Sequence, residues 1–222
     1  MYIKVNGVEL FYEKRGCGNP VVLLHGNGED HTIFDVLIER LSQNYTVYAI
    51  DSRGHGKSGK VKDLDYRSMM EDVAAFIREL GISNAMLYGF SDGGIIGLLL
   101  AIEHPSMISR LVISGANTQT KGIKTINAIP MRIAYFFTRD QKLKLMLTQP
   151  NITNVELNTI TTPTLVLAGS KDMVKDKHTR MIAENIKNST LRILEGEDHA
   201  SYVLHSKKLY DIINPFLATE GQ

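Results

Sequence analysis

Short apolar runs recur along the chain and alternate with segments whose apolar residues have helical spacing. The runs are rich in aliphatic residues and most end near glycine or a polar side chain, as strands buried on both faces do. They cover residues 20–26, 46–51, 85–89, 110–114, 164–168 and 191–194. Residues 2–15 instead alternate between apolar and polar positions around Asn6 and Gly7, which predicts a tight β-hairpin.

Four segments between these runs have apolar residues at the spacing of an amphipathic helix. They cover residues 68–80, 92–104, 175–187 and 205–217. Buried strands that alternate with helices predict an α/β fold, in which helices cover both faces of a mostly parallel sheet. The opening hairpin adds an antiparallel edge to that sheet.

The segment at about 117–162 interrupts this alternation. It holds helical patterns around 131–138 and 141–147, and neither leads directly into a strand. We expect an insertion that lies over the carboxyl edge of the sheet, within a single domain that spans residues 1–222. Its apolar residues Met131, Tyr135 and Phe136 are candidates for lining a substrate pocket, and ordinary core packing is the alternative.

Charge and targeting signals narrow the choice of partners. The chain has 25 Lys+Arg and 24 Asp+Glu, and a net charge of +1 gives no reason to expect nucleic acid or a membrane as a partner. The N-terminus lacks the pattern of a signal peptide, and the longest apolar run, 95–102, is too short to cross a bilayer. With Cys17 as its one cysteine, the chain is expected to be a soluble cytoplasmic monomer or homodimer.

The most specific motif is Gly-Phe-Ser-Asp-Gly at 89–93, between a buried strand and a helical pattern. This context is that of a nucleophile elbow, a sharp turn that exposes a serine hydroxyl. The glycines on either side remove side chains that would clash in such a turn. Ser91 is therefore the candidate nucleophile.

Two backbone N–H groups are candidates for an oxyanion hole. One belongs to Asp92, at the start of the helix that follows Ser91, and the other to Asn27, in the loop His-Gly-Asn-Gly at 25–28. His25 could be considered as a base, but it precedes Ser91 by many residues on a different strand. We interpret it as a histidine that braces its loop.

A base and an acid are expected after later strands, because this type of site has the chain order Ser, Asp, His. Asp172 follows the strand at 164–168, and His199 follows the strand at 191–194. His199 would take the Ser91 proton, and Asp172 would orient the imidazole. Asp198 is the competing acid, but adjacent side chains on a loop usually diverge.

Together these motifs resemble the α/β-hydrolase superfamily. The resemblance rests on residues 25–28, 89–94, 169–172 and 196–199, and the segment 51–58 is similar to an Asp-x-Arg-Gly-x-Gly-x-Ser loop common in that superfamily. It implies an eight-stranded sheet with one antiparallel strand and a helical cap after the sixth strand, which is short here. The loop residues Arg53 and His55 are interpreted as structural.

Asp92 has two interpretations. The run 89–94 resembles the amino-acid ester hydrolases, in which the equivalent aspartate engages the substrate amine, so Asp92 is a candidate substrate contact. The alternative is an acid at a helix N-terminus that the helix dipole stabilises.

The sequence thus predicts a serine hydrolase that cleaves a small carboxylic ester through an acyl-enzyme intermediate. A carbon–carbon bond hydrolase or another enzyme on the same fold, and a non-catalytic binding protein for small ligands, are the alternatives. The histidines lack metal-ligand spacing and no glycine-rich cofactor loop is present, so neither metal nor cofactor is expected. The expected partner is a small-molecule ester.

Overall fold

A single sheet of eight strands forms the centre of the computed structural model, which describes residues 1–219. The strands are β1 (Tyr2–Val5), β2 (Val8–Arg15), β3 (Asn19–Leu24), β4 (Tyr45–Ile50), β5 (Ala85–Phe90), β6 (Ile108–Ser114), β7 (Thr164–Gly169) and β8 (Ser189–Leu194). Their order across the sheet is β1-β2-β4-β3-β5-β6-β7-β8. Strand β2 is antiparallel to both of its neighbours, and the remaining neighbouring pairs are parallel. The predicted sheet is confirmed.

Helices cover both faces of this sheet, as predicted. They are α1 (Asp35–Leu41), α2 (Tyr66–Glu79), α3 (Asp92–Glu103), α4 (Thr125–Thr138), α5 (Gln141–Thr148), α6 (Asn154–Leu157), α7 (Asp176–Asn185) and α8 (Lys208–Leu217). One apolar core joins α2, α3 and α7 to the sheet, and the other joins α1 and α8 to the opposite face. The central strands are buried on both sides, which explains their continuous apolar runs.

Several helices differ from the sequence patterns. Helix α1 and the 3₁₀ turn before it, His31–Phe34, were not predicted. Helix α4 begins at Thr125 and contains Pro130, whereas the pattern indicated a start near Met131. Pro130 is the sixth residue of α4 and lacks the N–H that would bond to the carbonyl of Ile126, so this carbonyl has no helical partner. Helix α8 begins at Lys208 instead of His205.

The segment between β6 and β7 folds into a 3₁₀ turn, Thr120–Gly122, and the helices α4, α5 and α6. Two antiparallel bridges, Gln119 with Asn151 and Ile123 with Val174, help to fix its path. Helix α4 packs against α5, and α5 packs against the 3₁₀ turn. Among residues 1–219, no helix is both long enough and apolar enough to cross a membrane.

Candidate active site

Ser91 occupies a strained turn between β5 and α3. Its backbone has φ 51° and ψ −113°, a conformation that residues other than glycine rarely adopt. A β-carbon on Gly89 would overlap the carbonyl of Gly93, and one on Gly93 would overlap the carbonyl of Leu24. The two glycines are therefore required for strand, turn and helix to approach this closely.

Hydrogen bonds hold this turn in place. The Ser91 N–H donates to the carbonyl of Ser114 on β6 at 2.8 Å, and the Ser91 carbonyl accepts from the N–H groups of Gly94 and Ile95. Because the backbone is bound on both sides, the strained conformation is fixed by its surroundings. The hydroxyl of Ser91 is left facing the loops beyond the carboxyl edge of the sheet, and the residue is partly exposed.

The three residues predicted as a triad meet at this edge. His199 Nε2 lies 3.1 Å from Ser91 Oγ, and His199 Nδ1 lies 2.7 Å from Asp172 Oδ1. A carboxylate oxygen accepts, so the Nδ1–H donates to Asp172 and Nε2 is left to accept the Ser91 hydroxyl. Asp172 is 2 % exposed, and its Oδ1 also accepts the N–H of Val174 at 2.8 Å.

The competing acid and base residues have other partners. Asp198 accepts the N–H groups of Ala200 and Ser201, so its carboxylate fixes the turn that carries His199. His25 is buried, and its Nε2 accepts the N–H of Ser52 at 3.0 Å. Burial lowers the pKa of His25 to about 4, which keeps the ring neutral and suits it to bracing two loops.

The two N–H groups predicted for an oxyanion hole lie on either side of the elbow. Helix α3 begins at Asp92, so the Asp92 N–H has no carbonyl partner within the helix. The loop with Asn27 passes close to Ser91, because a β-carbon on Gly26 would lie 3.1 Å from Ser91 Cβ. This proximity is compatible with both N–H groups facing one oxygen, and the oxyanion hole stays a prediction.

The Asp92 side chain is buried and has two hydrogen-bond donors. Its carboxylate accepts Asn27 Nδ2–H at 2.8 Å and the Tyr66 hydroxyl at 2.7 Å. Burial raises the pKa of Asp92, and these two bonds act in the opposite direction. Asn27 Nδ2 also donates to the Lys142 carbonyl of α5 at 3.3 Å. Asp92 thereby links the start of α3 to the loop that carries Asn27.

Glu29 is a further acid near the site that the sequence analysis did not select. Its Oε2 accepts the N–H of Gly26 at 3.0 Å, and burial raises the pKa of its carboxyl. The bond closes the loop at 25–28 on itself. Glu29 directly follows the loop at 25–28, which was already a candidate for the oxyanion hole. This position in the sequence was the signal from which Glu29 could have been selected.

A small cavity adjoins Ser91 and His199. It encloses about 10 Å³, roughly the space of one water molecule. Besides Ser91, Asp92 and His199, its walls come from Tyr66, Gly115, Asn117, Ile123, Met146, Met173 and Val174. The space beside Ser91 is therefore small, and its apolar lining comes from α5 and from loops.

Of the four residues predicted as substrate contacts, Asp92 lines the cavity, whereas Met131, Tyr135 and Phe136 do not. All three lie on α4, where Met131 and Tyr135 are half-buried and Phe136 is 64 % exposed. The physical reason is that α4 packs on α5, so α5 and its Met146 lie closer to the nucleophile. The role of each of the four residues in substrate binding stays a prediction.

The loop at 51–58 is held in place by contacts with neighbouring segments. Arg53 forms two hydrogen bonds of 2.6 Å with the carboxylate of Asp72 on α2. Asp51 accepts the N–H and the Nδ1–H of His31, and Asp30 accepts the N–H of Thr32. Asp30, His31 and Asp51 lie close enough to share a metal ion, but these hydrogen bonds account for their grouping.

Comparison with known proteins identifies the family. A family model described as the alpha/beta hydrolase fold matches residues 19–153. The chain belongs to this family, which confirms the superfamily predicted from the motifs.

Several relatives are similar over most of the chain. The human protein "Serine hydrolase BPHL" is 28% identical over 251 residues, which cover 97% of this chain and 85% of that protein. The pimeloyl-[acyl-carrier protein] methyl ester esterase of Aliivibrio fischeri (strain MJ11) is 29% identical over 139 residues, 63% of this chain and 52% of that one. The esterase EaEST from Exiguobacterium antarcticum shares the fold, with a TM-score of 0.87, 24% identity, and coverage of 98% and 99% of the two chains.

Proposed function

We propose that this enzyme is a serine hydrolase that cleaves small carboxylic esters through an acyl-enzyme intermediate. The observation that carries the proposal is the continuous line of hydrogen bonds from Asp172 through His199 to the Ser91 hydroxyl. A hydroxyl is a weak nucleophile unless a neighbouring base takes its proton, and this line supplies the base and its orienting acid. The names of the relatives, a serine hydrolase and an ester esterase, agree with this function.

Acylation begins when Ser91 Oγ attacks the carbonyl carbon of the ester while His199 Nε2 takes the hydroxyl proton. The carbonyl oxygen becomes an oxyanion, which the N–H groups of Asn27 and Asp92 would stabilise. Removing one such donor typically costs about 3 kcal/mol of transition-state stabilisation. The tetrahedral intermediate then expels the alcohol, which receives its proton from His199.

Deacylation follows the same route with water as the nucleophile. His199 takes a proton from the water, the resulting hydroxide attacks the acyl carbon, and the carboxylic acid leaves as Ser91 recovers its proton. Asp172 stabilises the imidazolium in both steps and keeps the proton on Nδ1 in the resting state. Each residue is therefore used twice and returns to its starting state.

The size of the cavity supports a small acyl group. With room for about one water molecule beside Ser91, the site admits a short chain only after side chains such as Met146 move. An acyl chain of many carbons would need a larger displacement of α5. We therefore favour acetyl to butyryl esters over long-chain esters.

Within this function Asp92 acts as a positioning residue. Its carboxylate already accepts two hydrogen bonds, one of them from the side chain of Asn27, whose backbone N–H is proposed to hold the oxyanion. This supports a role in fixing the Asn27 loop over a role in binding a substrate amine.

A series of p-nitrophenyl esters from acetate to decanoate tests the proposal. The wild-type enzyme should hydrolyse the short esters best, and Ser91→Ala or His199→Ala should lower kcat by about 10⁴-fold or more. His104→Ala, which alters a partly exposed histidine paired with Glu71, is the control and should retain activity. Unchanged hydrolysis in Ser91→Ala, or a preference for decanoate with no turnover of acetate, contradicts the proposal.

The two alternatives give different results in the same assay. A carbon–carbon bond hydrolase would turn over a conjugated 1,5-diketone that carries a carboxylic acid group much faster than any ester. A non-catalytic binding protein would turn over neither substrate, and its binding of the ester would be unaffected by Ser91→Ala.

A further inference from the structure

The outward face of helix α4 is apolar. Five large side chains are exposed along it at helical spacing: Ile126 at 78%, Ile129 at 50%, Ile133 at 56%, Phe136 at 64% and Phe137 at 78%. Surface helices normally turn such a stripe toward the core and expose the polar side. Contiguous exposed apolar side chains on a water-soluble surface indicate a docking site.

The stripe is exposed because of the way in which α4 packs on the rest of the chain. Met131 and Tyr135, on the other side of α4, are half-buried, and α4 packs against α5. The face of α4 that is turned toward the protein thus carries a second set of apolar side chains. The stripe cannot reach the core without displacing them, so it is available to a partner outside the chain.

The segment that carries this stripe has an excess of positive charge. Residues 121–142 contain five basic residues, which are Lys121, Lys124, Arg132, Arg139 and Lys142. The one acidic residue of the segment, Asp140, caps α5 by accepting the N–H groups of Lys142 and Leu143. The Arg139 guanidinium lies over the rings of Tyr135 and Phe136, at 5.6 and 5.4 Å from their centroids. The balanced charge of the whole chain conceals this local excess.

We propose that α4 docks onto an anionic lipid surface, with its five apolar side chains in the interface and the flanking cations at the headgroups. Helices with an aromatic and aliphatic face bordered by Lys and Arg bind membranes in this orientation. A second copy fits the charge less well. A twofold pairing of α4 would bring together two segments of the same positive charge, and the one carboxylate in each, Asp140, already caps α5.

This inference goes beyond the proposed function and does not depend on it. It is linked to the candidate site only through α5, which carries Met146 at the cavity on one side and supports α4 on the other. Docking would therefore hold the covered side of the cavity near the lipid surface.

Co-sedimentation of the full chain with unilamellar vesicles tests the proposal. The wild type should bind vesicles made of equal parts phosphatidylglycerol and phosphatidylcholine, bind pure phosphatidylcholine vesicles much less, and dissociate at about 0.5 M salt. Ile133→Ser and Phe137→Ser should each weaken binding by about tenfold, because each removes an exposed apolar side chain from the interface. Arg132→Gln should weaken binding to the anionic vesicles alone.

Two variants serve as matched controls. Val155→Ser removes an apolar side chain that is 76% exposed outside α4, and Lys187→Gln removes an exposed cation at a distance in sequence. Both should bind vesicles as the wild type does. Failure of the wild type to bind anionic vesicles, or equal binding by Ile133→Ser, overturns the proposal. A dimer in sedimentation equilibrium that Ile133→Ser dissociates also overturns it, since a second copy would then cover the face.

Discussion

Gly115 lies so close to His199 that a β-carbon on the glycine would come within 2.6 Å of Cε1 and 2.8 Å of Nδ1. Gly115 directly follows β6, has φ +63°, and donates its N–H to the carbonyl of Leu167 at 3.0 Å. The backbone at this point therefore forms one wall against the imidazole. It keeps the ring in the position from which Nδ1 reaches Asp172 and Nε2 reaches Ser91.

Gly115→Ala should therefore displace the imidazole and lower kcat by about 100-fold, the usual effect of moving a catalytic group by about 1 Å. The variant should also lose about 1 kcal/mol or more of stability, because alanine is strained at positive φ. Ester hydrolysis and thermal unfolding measure the two effects. Gly81→Ala is the control, since Gly81 has φ +61° but nothing within 4 Å of a built β-carbon. Equal loss of activity in both variants would show that strain, and not contact with His199, is the cause.

Met146→Ala should widen the range of accepted acyl groups. Met146 lines the cavity, and its truncation leaves space for additional methylene groups beside Ser91. The ratio of kcat/KM for butyrate over acetate esters should rise by about tenfold. Met131→Ala removes the same side chain from α4, away from the cavity, and should leave the ratio unchanged. The reverse result would mean that α4 covers the substrate after all.

Asp92→Asn should lower kcat to a similar extent for neutral esters and for α-amino esters. The new amide group can no longer accept both hydrogen bonds from Asn27 and Tyr66, so the loop of the proposed oxyanion donor loosens. A loss of about tenfold or more is expected if that donor is displaced. Tyr66→Phe, which removes one bond and leaves the carboxylate, should have a smaller effect on both substrates. A loss confined to α-amino esters would instead identify Asp92 as an amine-binding residue.

The structure also predicts how stability depends on pH. Burial lowers the pKa of His25 and of His178 from 6.5 to about 4. In the unfolded chain both rings take up a proton near pH 6.5, so between about pH 6.5 and 4 the unfolded state binds more protons. The free energy of unfolding should therefore fall as the pH decreases through this window, by up to about 3 kcal/mol for His25 and by less for His178, which solvent screens more.

Urea unfolding at pH 7 and pH 5 measures this effect. His178→Gln, which keeps an acceptor for the N–H of Thr118, should reduce the difference between the two pH values. Identical pH dependence in the variant and the wild type would show that His178 is not neutral in the folded protein at pH 5.

Sequence alone could predict the strands and the residues of the candidate triad because their signals are local. Ser91 is marked by its flanking glycines, and Asp172 and His199 each follow a strand whose apolar run is continuous. The parallel sheet brings these strand ends to one edge, so chain order was sufficient to group the three residues. Helix α1 was missed although Leu37, Ile38 and Leu41 have helical spacing, because seven residues give a weak periodic signal.

Sequence could not predict which side chains face the cavity. Ile123, Met146 and Val174 meet there from three separate segments, and no local pattern marks them. Helix α4 shows a second limit. Its apolar stripe is visible in the sequence, but periodicity identifies a face without saying what covers it, and the usual assumption is that it faces inward. Here the stripe faces outward. The expectation that no membrane is a partner rested on the net charge of the whole chain, and that average does not register the local excess of cations in the segment of α4.

Covalent labelling with a fluorophosphonate tests the central claim most directly, since it requires an activated serine hydroxyl and no knowledge of the substrate. Intact mass and peptide mapping of the folded protein should find one phosphonyl group per chain, on Ser91, and none on Ser91→Ala. His199→Ala should react far more slowly. Absence of labelling on the folded wild type, or labelling that persists in Ser91→Ala, would contradict the account.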